Sequence, residues 1–277
     1  MPRRPQLIPW KVAGRVSERF ASGDDVVRET GWVFNNARGH QLNLAEFVAT
    51  GDDEVPAYLE EFGLRGAHND AQTLVEIGSG IGRMTCAFTR EFGCVIASDL
   101  DAGFLERCRE TVARFGKADR LRTLEVADGR TLELPDASAD VAFSYITLQH
   151  CDPEDALDLA SEAVRVVRPG GRIALNFRSR SGADAFLLPL GAVTRAVLRL
   201  RGIGDWLSQR RAITRLAWQA NRLSPDQVLA QIGPHLTDVQ VWRHPGNAIV
   251  GQGATAHTFD GINRNHWWLV ATVASSN

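Results

Sequence analysis

The sequence has no apolar run approaching the roughly 18 residues that a membrane-spanning helix needs, so no bilayer span is expected. Its N-terminus, MPRRPQLIPW, is basic but carries no apolar core behind the charges, and does not read as a secretory signal. The four cysteines (Cys86, Cys94, Cys108, Cys151) form no Cys-x-x-Cys pair and no zinc-like spacing with histidine. They read as reduced thiols in or near the core, which sets a cytoplasmic location as the expectation. A formal net charge of −2 supplies no general basic field, so no nucleic-acid partner is expected. Internal repeats and low-complexity segments are absent as well. What remains, 277 residues of which 44% are hydrophobic, fits one large α/β domain or a domain with an appended subdomain.

From residue 72 to about 180 apolar runs alternate with helical patterns. The runs are Thr73–Ile77, Cys94–Ala97, Leu121–Val126, Asp140–Tyr145 and Arg172–Phe177. This interval predicts parallel βαβ units and a doubly wound sheet. Further strands are expected at Val239–Trp242 and Trp267–Val273, with a helix at Pro225–Ile232 and a long glycine-rich loop between the two strands. Before this core lie two short amphipathic pieces, Leu42–Ala49 and Val55–Phe62, broken by Gly-Asp-Asp at 51–53. After the fifth strand, 185–222 reads as two helices joined at Gly202–Gly204, with seven arginines and one acid, Asp205. The chain thus divides into an N-terminal helical cap (1–70), a core (71–181), a helical insertion (182–223) and a completing segment (224–277).

The chemistry starts at Leu74–Thr85, LVEIGSGIGRMT, where an apolar strand enters a glycine turn that opens a helix. A dinucleotide fingerprint is Gly-x-Gly-x-x-Gly. Here the glycines are Gly78, Gly80 and Gly82, with Ser79 between the first two and Arg83 where the fingerprint has its third glycine. Glu76 stands two positions before Gly78. It would repel a pyrophosphate and attract an ammonium or sulfonium, so the turn suits a cationic adenosine ligand. Asp99 closes the second strand, where a carboxylate can accept from both ribose hydroxyls. Asp128 follows the third strand, placed to accept from an adenine amine.

These residues resemble the class I S-adenosylmethionine-dependent methyltransferases, and within them the bacterial small-molecule enzymes. EIGSGIG is similar to the first motif, and Asp99 to the second. ADGRTLELPDASADVAFSYITLQH and VVRPGGRIAL resemble the later motifs in order. The resemblance implies a seven-stranded, mostly parallel Rossmann-like sheet whose last strand, His266–Val273, is antiparallel. It implies S-adenosyl-L-methionine as cofactor, with no metal. Glu76 would face the amino group, and Gly78, Ser79, Gly80 and Gly82 the methionyl part. Asp99 would hold the ribose, Leu100 lie against the adenine, Asp128 and Gly129 meet its edge, and Tyr145 border the site.

The methyl acceptor must sit over the carboxyl edge of the sheet, where SYITLQHCDP offers Tyr145, Thr147, Gln149, His150 and Cys151. Imidazole titrates near neutrality, so His150 is the catalytic candidate, against a structural role capping the next helix. His257 and His266 are alternative bases. Asp152-Pro153 reads as a helix N-cap with Pro at the first position. Phe47, Ala49, Thr50 and Gly51 resemble a cap run that introduces a helix in such enzymes, with Trp32, Phe34 and His40 at the mouth. Leu187, Leu188, Leu190, Val193, Val197 and Leu198 form one apolar stripe in the insertion, with Trp206 and Trp218 beyond it. That stripe can roof an apolar acceptor, pack against a second subunit, which leaves a homodimer open, or touch an anionic membrane surface; the arginines read as a solvated face. The expected activity is methyl transfer to a small molecule, oxygen first. An RNA or protein acceptor, or a cofactor-binding protein without turnover, are the alternatives.

Overall fold

The computed structural model describes residues 22–31, 38–66, 68–200, 202–208, 210–217 and 221–275, which leaves Trp32, Phe34 and Trp218 outside the described residues. The first elements are α1 (Gly23–Thr30) and α2 (Leu44–Glu61). Then come β1 (Thr73–Ile77), α3 (Thr85–Glu91), β2 (Cys94–Asp99), α4 (Ala102–Phe115), β3 (Leu121–Glu125), β4 (Ala139–Ser144), α5 (Pro153–Val166) and β5 (Val167–Arg178). Three helices follow: α6 (Asp184–Leu198), α7 (Ile203–Ser208) and α8 (Arg211–Ala217). The chain closes with α9 (Pro225–Ile232), β6 (Leu236–Arg243), β7 (Thr255–Thr258) and β8 (His266–Val273).

The strands form one sheet in the order β3-β2-β1-β4-β5-β8-β6-β7. β1 to β5 pair in parallel, while β8 runs antiparallel to both β5 and β6. Helices cover both faces, so the central strands are apolar on both sides. In β8, Trp267, Leu269 and Ala271 enter the core packed by α5 and α9. Its alternate residues Trp268 and Val270 enter the core packed by α2 and α3. The order reverses between β1 and β4, the crevice where α/β sheets bind ligands.

Four local expectations are corrected. The sheet has eight strands rather than seven, because Thr255–Thr258 of the glycine-rich loop pairs in parallel with the outer edge of β6. The N-terminal pieces are one helix of 18 residues that runs through Gly51 and Pro56. Gly51 lies against the chain of α3's approach, where a Cβ would meet the Arg83 carbonyl oxygen at 2.1 Å. Its Gly costs helix propensity, and this close packing, with the Asn43/Glu46 capping box, offsets the loss. Among the described residues the insertion holds three helices, of 15, 6 and 7 residues, rather than two. Finally, its apolar residues divide: Leu198 is buried, whereas Leu190, Val193 and Trp206 are exposed together with Phe186 and Ile203. Among the described residues no helix is long and apolar enough to cross a membrane.

Candidate functional site

β1 delivers Glu76 to the sheet's carboxyl edge, and the chain turns at Gly78 with φ of 80°. A Cβ there would lie 2.1 Å from Thr147 Oγ1, so the first turn residue must be glycine on grounds of both space and backbone. The amides of Gly78 and Ser79 donate to the Ser98 carbonyl at 2.7 and 2.9 Å. That of Gly80 donates to Asp99 Oδ2 at 3.0 Å. The loop is therefore fixed by β2. Gly82 backs onto Cys108 of α4, while a Cβ at Gly80 would meet nothing within 4 Å. Ser79 Oγ is buried without a hydrogen-bond partner in the protein.

Glu76 is buried, and Thr85 Oγ1 donates to its Oε2 at 2.6 Å. Burial pushes the carboxyl up to about 7; the Thr85 bond and the Arg83 charge pull it down less, and Asp99 adds to the rise. A cation reaching this carboxyl would displace its proton. Asp99 accepts from the Asp101 amide at Oδ1 (2.9 Å) and from Gly80 at Oδ2, which orients it. Leu100 follows, half-buried, and Asp101 caps α4 through the Gly103 amide.

Asp128 is exposed and closes its own turn, accepting from the Arg130 and Thr131 amides (2.9 and 2.8 Å) and the Thr131 hydroxyl (2.7 Å). Desolvation raises its carboxyl, and these bonds outweigh that and hold it below the ordinary range. The turn needs Gly129, which is buried at φ 75°.

Beyond β4 the backbone is strained. Ile146, a β-branched residue, has φ of 51° and donates its amide to Asn176 Oδ1 at 3.2 Å. This kink turns Thr147 back onto the glycine loop, where Oγ1 donates to the carbonyls of Gly78 (3.3 Å) and Tyr145 (3.1 Å). Tyr145 is stacked on Trp268 at 5.3 Å and flanked by Tyr58 at 5.7 Å. Burial pushes its hydroxyl up to about 12. Arg83, at the position that sets this turn apart from a dinucleotide fingerprint, lies over the Tyr145 ring at 5.4 Å and pairs with Glu54 of α2 at 3.2 Å. It thereby ties the cap to the glycine loop.

Gln149 and His150 follow in a short 3₁₀ turn. Their Nε2 atoms are 3.2 Å apart, so the Gln149 amide, as oriented, donates to His150 Nε2 and assigns the ring proton to Nδ1. Cys151 is buried. Asp152 occupies the N-cap position of α5 but makes no capping bond. Arg195 of α6 and Arg199 just past its end, each 3.7 Å away, draw its carboxylate toward the insertion instead.

The glycine loop, Glu76, Asp99, Tyr145, Gln149 and His150 all belong to the carboxyl edge around β1, β2 and β4. His40 lies in the turn Gly39–Gln41 beside α1, half-buried. His257 lies on β7 and stacks on Trp242 at 4.6 Å, four strand positions from β4, so it is no base for this edge. His266 is buried and its imidazole pushed down to about 3, first by burial and then by Arg178 and Arg222, which makes it a poor base. Tyr58, Trp268, Asn176 and Asn221 escaped the sequence reading. Only Asn176, a polar residue inside the apolar strand RIALNF, left a signal.

A doubly wound sheet with a glycine turn, a buried carboxyl before it and an aspartate closing the next strand defines an adenosine-cofactor protein of the methyl-transfer kind. The Methyltransferase domain family matches residues 75–175. The chain is 33% identical over 132 residues to the carboxy-S-adenosyl-L-methionine synthase of Pseudomonas fluorescens strain SBW25, covering 45% of this chain and 53% of that protein. To the synthase of the same name from Pseudomonas savastanoi pv. phaseolicola strain 1448A it is 30% identical, covering 57% of this chain and 67% of the relative. The chain thus spans about half the length of the first of these relatives. Phosphoethanolamine N-methyltransferase 1 of Haemonchus contortus, solved with phosphoethanolamine and S-adenosylhomocysteine, shares the fold at a TM-score of 0.53 and 15% identity, over 92% of this chain and 51% of that one. The chain belongs to the class I S-adenosylmethionine-dependent methyltransferase superfamily, whose cofactor is S-adenosyl-L-methionine.

Proposed function

We propose that the chain transfers the methyl group of S-adenosyl-L-methionine to a small-molecule acceptor, with oxygen as the leading acceptor atom and S-adenosylhomocysteine as product. The observation that carries this reading is the buried Glu76 carboxyl beside the left-handed glycine turn, with Asp99 oriented at the end of the next strand. The residues fit the cofactor: Ser79 Oγ lacks a partner and Gly80 opens onto unfilled space. Glu76 would accept from the ammonium and give up its proton. Asp99 would accept from the ribose hydroxyls, and Leu100 would cover the adenine. Asp128 and Gly129 would border that ring, although the Asp128 carboxylate is already engaged by its own turn. When bound, the cofactor supplies a methyl on a positively charged sulfur, which needs only a nucleophile held in line.

Positioning is the main contribution of the protein, of order 7–11 kcal/mol in well-oriented systems. Tyr145, Gln149 and His150 line the edge where the acceptor would sit. His150 acts as base once its Nε2 exchanges the Gln149 amide for an acceptor hydroxyl, a role worth about 10²–10⁴ in rate. In a screen of phenols, polyketides and sugars that follows S-adenosylhomocysteine release, His150→Ala should lose turnover a hundredfold or more at unchanged cofactor affinity. Unchanged turnover would assign His150 to structure alone.

Calorimetric titration tests the cofactor itself. Micromolar binding of S-adenosylhomocysteine, with no binding of NAD, is the expected result; NAD binding, or binding of neither, overturns the reading. Transfer of labelled methyl to RNA or protein, and not to small molecules, would overturn the acceptor class.

A further inference from the structure

The insertion after β5 has two unlike sides. On α6 the buried side holds Asp184, Gly191 and Leu198, and near it Arg195 and Arg199 reach to Asp152 at 3.7 Å. Arg222, past α8, is buried and pairs with Asp184 at 3.1 Å, so the arginines are not the uniformly solvated face expected from sequence. The other side is apolar throughout: no exposed residue of α6 is polar. Phe186, Pro189, Leu190 and Val193 recur there at helical spacing, with alanines between them. Phe186 is 80% and Val193 60% exposed. Single apolar residues are ordinary on a surface, but an unbroken row of them marks a contact site.

The row continues past the helix in Leu200, and α7 adds Ile203 and Trp206, all exposed. α7 is set against the end of α6 by Gly204, where a Cβ would meet the Leu198 carbonyl oxygen at 2.3 Å. The guanidinium of Arg210, itself exposed, lies over the Trp206 ring at 4.1 Å. An indole under a guanidinium beside an apolar row suits the boundary where acyl chains give way to charged headgroups.

Charge selects the occupant. Residues 185–222 hold seven arginines and one acid, a net of +6, in a chain whose total is −2, so the remainder carries −8. Asp152 and Asp184, which meet three of these arginines, lower the excess without cancelling it. A second copy seated on the same face would bring two such segments together, and like charges oppose that contact. An anionic bilayer attracts the arginines and also takes up the apolar row; a nucleic acid offers only the first.

We propose that the insertion docks the protein on an anionic lipid surface, with the row from Phe186 to Leu200 entering the headgroup boundary and Trp206 and Arg210 alongside it. The contact is peripheral, and needs no helix long enough to cross the bilayer. Both ends of the insertion are tied to the turn that carries Gln149 and His150. Arg195 and Arg199 meet Asp152, and Asn221 Nδ2 donates to the Leu148 and Cys151 carbonyls at 2.7 and 2.8 Å. Docking therefore holds that turn about one helix diameter, roughly 10–12 Å, from the lipid. Where the methyl-transfer reading holds, this favours an acceptor that dissolves in the bilayer.

The test is co-sedimentation of the full chain with phosphatidylcholine vesicles, plain or with about one-third phosphatidylglycerol. Anionic vesicles should bind at least about tenfold more tightly than plain ones, and high salt should remove the difference. Phe186→Glu combined with Leu190→Glu should weaken binding to anionic vesicles by about tenfold or more. Both side chains are exposed, so this variant should bind S-adenosylhomocysteine as the parent does. Arg210→Gln should cost about fivefold on anionic vesicles and little on plain ones. No binding of the parent to anionic vesicles, equal binding to both kinds, or undiminished binding of the double variant overturns the proposal. A parent that sediments as a dimer, and as a monomer once Phe186 and Leu190 are replaced, gives the row to a second copy and overturns it too. Retention of single-stranded RNA in place of vesicles does the same in favour of a nucleic acid. Failure to bind S-adenosylhomocysteine would overturn the methyl-transfer reading alone, since vesicle binding is read without it.

Discussion

Glu76→Gln is expected to melt higher than the parent at pH 8 in the absence of cofactor, and to bind S-adenosylhomocysteine about a hundredfold more weakly. The first effect follows from burial. The carboxyl sits at about 7 in the folded chain against an ordinary 4.5, a gap equivalent to about 3 kcal/mol. Below 4.5 both states hold the proton and stability is unaffected. Between 4.5 and about 7 the unfolded chain gives up its proton first, so stability falls as pH rises, and above that the full penalty applies. Glutamine keeps the Thr85 bond and carries no charge, so its melting curve loses this slope. The second effect has the opposite sign because the ionised carboxyl is what an ammonium prefers, and a hundredfold loss corresponds to about 2.7 kcal/mol. Parent affinity should rise with pH through about 7, and calorimetry in two buffers should show proton release on binding. Equal affinity of the two proteins would remove Glu76 from the cofactor site.

Gly78→Ala should destabilise the fold by about 3 kcal/mol or more, lowering Tm by roughly 6–12 °C. Two penalties add here. The residue keeps a left-handed backbone, and its new methyl would lie 2.1 Å from Thr147 Oγ1 and 2.6 Å from Thr147 Cβ. Relief requires the loop to move off β4, which also misaligns Glu76 and the Gly80–Asp99 bond, so cofactor binding should be lost with stability. Thr147→Gly in the same chain removes the clash but not the backbone strain. The pair should therefore be less unstable than the sum of its single changes by 1 kcal/mol or more, a coupling that chemical denaturation can measure. Additive losses would mean that the two segments do not press on each other.

These effects sit on features that local sequence makes readable. Glycines at 78, 80 and 82 after an apolar strand imply left-handed turns whatever surrounds them, and Glu76 and Asp99 follow from strand ends. Other parts depended on partners remote in the chain. Gly51 and Pro56 look like breakers until the carbonyl of Arg83 packs against the helix they interrupt. Asp152 has the right neighbours for an N-cap, yet two arginines at the end of α6, Arg195 and Arg199, redirect it. The ring nest of Tyr58, Tyr145 and Trp268 joins three segments with no common periodicity. The capping box Asn43/Glu46, which the sequence reading did not use, marks the start of α2.

The position of β8 between β5 and β6 bears on the order in which the sheet can assemble. β6 and β7 precede β8 along the chain, but β6 meets the rest of the sheet only through it. During synthesis the β6–β7 pair emerges with an open, partly apolar edge on one side, and the matching edge of β5 is open on the other. Both wait for one segment, whose two tryptophans then fill the cores on opposite faces of the sheet. Closure is thus a late, long-range zipper step. Pulsed amide labelling during refolding should find β1, β2 and β4 protected before β6.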